Sequence, residues 1–73
     1  MVEFQVLGSA TEKVGFQEQV FQPEEPTPIE ELLGRSKLQE GAYIVLIDGK
    51  AGDLSTPVSG DTKVVIMPRI SGG

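Results

Sequence analysis

Gly72 and Gly73 close the chain, directly after Ser71 and a Pro68-Arg69-Ile70 connector. Two residues without side chains make a thin thread that can enter a narrow active site, because no Cβ widens it or restricts its φ/ψ range. The carboxylate of Gly73 is then a chemical handle. With a pKa of roughly 3.3–3.7 it is anionic at neutral pH and a poor electrophile. It becomes reactive only after conversion to a mixed anhydride. Fully extended, Ile70 to Gly73 spans at most about 13–14 Å, enough to cross the wall of a partner protein.

Little else in the chain competes for a chemical role. Cysteine, histidine and tryptophan are absent, which removes thiolate nucleophiles, thiolate metal ligands and the commonest general base. Glu24/Glu25 and Glu30/Glu31 are adjacent pairs, and adjacent residues on a helix do not face one another. Glu30 and Glu31 suit a helical first turn, where the dipole favours negative charge. No glycine loop followed by Lys-Ser or Lys-Thr is present to hold nucleotide phosphates. We therefore expect no enzyme and no cofactor or metal. A net charge of −5 with scattered Lys and Arg argues against nucleic acid, which needs clustered basic residues. No apolar stretch approaches the roughly 20 residues of a membrane span, and Met1-Val2-Glu3-Phe4 lacks the basic and apolar regions of a signal peptide. The expected location is the cytoplasm.

The body that positions this ending is small. Seventy-three residues make one domain, expected over 1–68 with a tail over 69–73. A core of this size supplies only about 3–5 kcal/mol of net stability. Val2, Phe4 and Val6 alternate with Glu3 and Gln5, the period of a half-buried strand. Gly8 to Lys13 reads as a polar turn, after which Val14, Phe16 and Val20 continue the alternation, with Glu18 interrupting it. Pro23, Pro26 and Pro28 end that second strand. Thr27 as cap, Pro28 at the first helical position and Glu30 form a capping-box signature. Ile29, Leu32 and Leu33 make one helical stripe, and Gly34 is a stop. Tyr43 to Ile47 is the central-strand candidate, followed by a tight Asp48-Gly49 turn. Thr56-Pro57 and Gly60-Asp61 mark further turns before a last strand over Val64–Met67. Val2, Phe4, Val6, Ile29, Leu32, Leu33, Val45 and Ile47 should share one core. Tyr43 is expected in the core or at an edge, and Lys50 and Lys63 on the solvated surface. Two strands, one helix and later strands suggest an α+β roll with a helix across a mixed sheet.

Ile47-Asp48-Gly49-Lys50, Leu54-Ser55-Thr56-Pro57-Val58 and Gly60-Asp61-Thr62-Lys63-Val64 follow one another in an order that resembles the β-grasp, ubiquitin-like sulfur carriers. The ending Ile66-Met67-Pro68-Arg69-Ile70-Ser71-Gly72-Gly73 looks most like the tail of the molybdopterin-synthase small subunit, with the thiamine-biosynthesis carrier next. Arg69 stands where that tail usually has a second proline, and the segment from Pro23 to Gly41 is short for the family. The resemblance implies a β-grasp fold and a carrier, not a catalyst. It implies that Gly73 is adenylated by an ATP-dependent, ubiquitin-activating-like adenylyltransferase and converted to a thiocarboxylate. Gly72 and Ser71 would thread a partner's channel, with Ile70, Arg69, Pro68 and Met67 as partner contacts. The acceptor it implies is a molybdopterin-synthase large subunit or its equivalent. A protein modifier joined through Gly73 to a lysine would use the same activation.

Overall fold

A computed structural model describes residues 1–34 and 41–69. The opening strand β1 (Val2–Val6) buries Val2, Phe4 and Val6 on one face, as its alternation predicts. The segment after it differs from the expected turn. Ala10–Val14 is a short helix, α1, which buries Ala10 and Val14 one turn apart and ends on Gly15 at φ 97°. Ala10 and Val14 stand at i, i+4, a helical spacing, and Gly15 is the C-terminal stop that alternation alone conceals. Strand β2 consequently starts at Glu18 rather than Val14 and spans Glu18–Phe21, antiparallel to β1.

The prolines after β2 lead first into a two-residue strand, β3 (Thr27–Pro28), and then into α2 (Ile29–Leu33). Thr27 does not cap this helix. Its hydroxyl donates to the Glu25 carbonyl at 2.9 Å, and Pro28 occupies the cap position. The free amides of the first turn are satisfied from a distant loop instead: Ile29 N–H donates to the Thr56 carbonyl at 3.1 Å and Glu30 N–H to Leu54 at 2.9 Å. Those orphan donors need partners wherever they are found. Glu30 and Glu31 lie in the first turn and Gly34 ends the helix at φ 64°, both as expected. A helix of this length cannot stand alone in water; Ile29 is fully buried and Leu32 and Leu33 pack against the same core.

Strand β4 (Tyr43–Ile47) turns through Asp48 at φ 50° and Gly49 at φ 83° into β5 (Lys50–Gly52). Positive φ at both central residues is the twist-matched two-residue hairpin. A Cβ at Gly52 would lie 2.5 Å from Ile47 Cδ1, so a side chain there would oblige Ile47 to turn aside. The turn residues then form β6 (Pro57–Val58), which pairs with β3. The last strand, β7 (Thr62–Pro68), runs longer than its apolar run and lies parallel to β1 and antiparallel to β4. The main sheet therefore has the order β2-β1-β7-β4-β5, with β7 rather than β4 at its centre.

One face of this sheet, with both short helices, encloses the core. Val2, Phe4, Val6, Ala10, Val14, Ile29, Val45, Leu54, Val58, Val64 and Ile66 are buried, and Phe21 meets Phe4 edge to face at 5.1 Å. Leu32, Leu33, Tyr43 and Ile47 are half-buried against it. No polar or charged side chain is buried among the described residues.

Candidate functional site

Strand geometry makes β7 the axis of the site, because successive side chains point to opposite faces. Val64 and Ile66 are fully buried in the core, so Lys63, Val65 and Met67 point the other way. On β4, Val45 is buried and Ile44 and Leu46 face outward. Register places Ile44 opposite Met67 and Leu46 opposite Val65. Four apolar side chains thus adjoin on the outer face, each only half-buried. Leu7, just beyond β1 and 40% exposed, extends the patch. Over the β1–β2 half the same face is mostly polar, with Glu3, Gln5 and Glu18 beside the exposed Val20. Apolar surface of this kind, rimmed by polar residues, is the usual mark of an interaction site.

The tail root continues directly from this patch. Met67, a partner contact by the resemblance, lies on the outer face. Pro68 is the last residue of β7 and stands opposite Tyr43. Arg69 N–H donates to the Ala42 carbonyl at 2.9 Å, so Pro68 occupies the intervening non-hydrogen-bonded position, where its missing donor strands no acceptor on β4. The side chain of Arg69 is exposed and, among the described residues, has no ion-pair partner. Ile70, Ser71, Gly72 and Gly73 lie outside the described residues.

The remaining candidates take structural places. Lys50 and Lys63 are exposed. The Lys63 backbone holds the β4–β5 turn, its N–H donating to Asp48 Oδ1 at 3.0 Å and its carbonyl accepting from Asp48 N–H at 2.8 Å. Asp53 accepts from the Ser55 hydroxyl at 2.6 Å, the Ser55 amide at 2.9 Å and the Thr56 hydroxyl at 3.2 Å. Those bonds, led by the Ser55 hydroxyl, hold its carboxyl below the ordinary 3.8. They shape the loop that satisfies α2. No group of His, Cys, Asp and Glu among the described residues could hold a metal. An open cleft of about 340 Å³ runs along β1 and β2, lined by Glu3, Gln5, Glu18, Gln19, Val20 and Lys63. It touches no residue of the tail root. No helix among the described residues is long and apolar enough to cross a membrane.

Sequence reasoning missed the apolar patch. One signal was available. Tyr43 to Ile47 is apolar without alternation, which means two faces that avoid water, and a chain with so little helix cannot cover both.

A model described as the ThiS family matches residues 4–73. Among solved structures, the crystal structure of SAMP1 from Haloferax volcanii aligns with a TM-score of 0.71, covering 99% of this chain and 98% of that one at 16% identity. That likeness is one of fold, and it agrees with the α+β, β-grasp arrangement of sheet and helices. A search of the curated proteins by sequence found no match.

Proposed function

The chain belongs to the ThiS family over residues 4–73, and from that premise we propose that it is a sulfur carrier whose Gly73 is adenylated and then thiocarboxylated by a partner. The observation that carries this reading is the reach of the family match, which runs through Gly72 and Gly73 to the end of the chain. Residues 1–68 serve as the body and 69–73 as the tail, and the protein works in the cytoplasm as a substrate rather than a catalyst.

Activation follows from the inertness of a carboxylate. A Gly73 carboxylate oxygen attacks the α-phosphorus of ATP bound by the partner, and the bond to pyrophosphate breaks. A sulfur donor at the level of hydrosulfide then adds to the acyl carbon and AMP leaves with the original oxygen. The product is a thiocarboxylate, with one proton released and no net change of oxidation state. Ile44, Leu46, Val65 and Met67 dock the body on the partner, and Arg69 and Ile70 lead the thread into its channel. The Pro68 connector and Ser71 favour a pterin precursor on a molybdopterin-synthase-like large subunit as acceptor. The thiamine pathway is the alternative, and the family match does not choose between the two. The activation chemistry is common to both.

Intact mass after co-expression with the native activating enzyme tests the reading. Sulfur for oxygen adds about 16 Da, the same as a methionine sulfoxide at Met1 or Met67, so thiol-specific alkylation must localise the change to the C-terminal peptide. Deleting Gly73, or adding a residue after it, should abolish the product while the body stays folded. Mass persisting on a lysine of a target protein would favour the modifier reading. Neither product, with ATP and a sulfur donor present, would overturn both.

A further inference from the structure

Strand β2 (Glu18–Phe21) closes one side of the main sheet, and among the described residues no strand pairs with its far edge. The ladder to β1 decides which of its backbone groups are left over. Val6 N–H donates to the Gln17 carbonyl at 2.8 Å, which makes Val6 and Gln17 a hydrogen-bonded pair. Such pairs alternate along an antiparallel ladder, so Phe4 and Gln19, and then Val2 and Phe21, are bonded pairs as well. The amides and carbonyls of Glu18 and Val20 therefore point away from β1, to the open edge. The opposite edge of the sheet is blunter. β5 has three residues, Lys50 and Gly52 among them, and a very short edge carrying lysine discourages pairing.

Side chains beside that edge differ between the two faces. Gln19 and Phe21 stand opposite Phe4 and Val2, which are in the core, so both point to the inner face. Gln19 is nevertheless exposed and Phe21 only half-buried. The packing over the middle of the inner face therefore stops short of this edge. Phe16 is half-buried as well, its ring centroid 6.4 Å from that of Phe21, and the two rings form an aromatic ledge at the border of the core. On the outer face Glu18 stands beside Val20, which is 49% exposed, and Glu3 lies behind them on β1. These three also line the open cleft along β1 and β2. Unpaired backbone groups are thus flanked by an apolar ledge on one face and by carboxylates on the other.

We propose that the β2 edge docks an extended segment of a partner protein, which adds to the sheet as an antiparallel strand. Its aliphatic residues lie over Phe16 and Phe21 and alternate with basic residues beside Glu18 and Glu3. Backbone bonds to Glu18 and Val20 supply affinity, and the two unlike faces supply selectivity. In an antiparallel pair the residues opposite Glu18 and Val20 exchange both backbone bonds with them and share their face. Those are the basic residues, and the residue opposite Gln19 meets the ledge. A second copy of this chain fits the edge less well. Its own β2 would bring another Glu18 and Glu3 to an acidic face, between chains of net charge −5, and like charges across a strand pair destabilise it. β1 separates this edge from β7, so the docked strand leaves the apolar patch over β4 and β7 free.

The probe is a short, end-blocked peptide of alternating Val and Lys, titrated into the isotope-labelled full chain and followed by NMR. Shifts should centre on the amides of Glu18–Phe21. A peptide of alternating Val and Glu should bind about fivefold more weakly, as for loss of exposed charge pairs. Methylating the Lys amide nitrogens removes donors aimed at β2 without removing charge, and should abolish the shifts. Methylating the Val amides, which point to solvent, should leave binding intact. Val20→Pro deletes an outward donor and spares the β1 ladder, as an edge strand tolerates; it should weaken binding about tenfold, the worth of a lost hydrogen bond. Glu18→Lys, a change at an exposed side chain, should weaken it about fivefold and keeps the test open if the proline variant does not fold. Equal binding of the two methylated peptides, equal binding of the Lys and Glu peptides, or shifts centred on Leu46 and Val65 instead overturns the inference. Concentration-dependent sedimentation of the free chain, with the Glu18–Phe21 amides shifting, would assign the edge to a second copy and overturn it as well.

Discussion

Val64 and Val65 are neighbours of the same residue type in the same strand, yet they belong to different parts of the molecule. Val64 is fully buried in the core with Val2, Phe4 and Ile29. Val65 is half-buried on the outer face beside Leu46. Nothing local distinguishes them. The difference is what the chain lays over each face: α1, α2 and the Leu54–Val58 segment reach the inner face. Apolar surface left half-covered contributes little to folding, and in so small a domain little is spare. Its retention beside the tail root is therefore best read as a requirement of binding rather than of folding.

If that contrast is right, truncation should be costly inside and cheap outside. Phe4→Ala, which empties a buried site and removes the edge-to-face partner of Phe21, should cost about 3–5 kcal/mol in urea titration. A cost below about 1.5 kcal/mol would mean the inner face is not the single core described. The sharper form uses the two valines. Val64→Ala should cost about 1.5–3 kcal/mol, the worth of a fully buried side chain, and Val65→Ala less than about 1 kcal/mol, as for a partly exposed position. Equal losses would dissolve the distinction between the faces.

Kinetics probe the outer face from its other side. Leu46→Lys should change stability by less than about 1 kcal/mol and raise KM for the activating enzyme about tenfold with kcat preserved, as loss of uniform binding does. An unchanged KM would remove the patch from the docking surface. The smallest effect is expected at Asp53, an exposed residue of the loop that leads into Leu54. Its carboxyl is held below 3.8 in the folded protein, so its contribution to stability is present above that value and is lost as pH falls through the folded pKa. Between pH 6 and pH 3, Asp53→Asn should therefore lose less stability than the unaltered protein. Parallel acid curves for the two would show that the Ser55 and Thr56 hydrogen bonds do not favour the ionised form.

Residues whose neighbours differ from them in polarity were legible. Val2, Phe4 and Val6 announce β1 because Glu3 and Gln5 separate them, and Asp48-Gly49 announces its hairpin because both conformations are unusual for other residues. Ala10 and Val14 were not legible as a helix, since the polar residues between them match a turn and Phe16 imitates a period of two. Leu54 and Val58, both buried, sit singly among turn residues and show no period at all. Gly72 and Gly73 were conspicuous without any partner residues, and they lie outside the described residues. The outer apolar patch was not legible.

What the sequence determined by itself is therefore local: the alternation of β1, the stripe and stop of α2, and the β4–β5 turn. The tertiary structure decided what depends on distant segments. It supplied the carbonyls of Leu54 and Thr56 that satisfy α2. It brought Gly8 against Pro68. It also chose which face of an apolar strand stays open. An all-apolar run such as Tyr43–Ile47 is symmetric to any local reading, and only packing of the helices on one side breaks that symmetry.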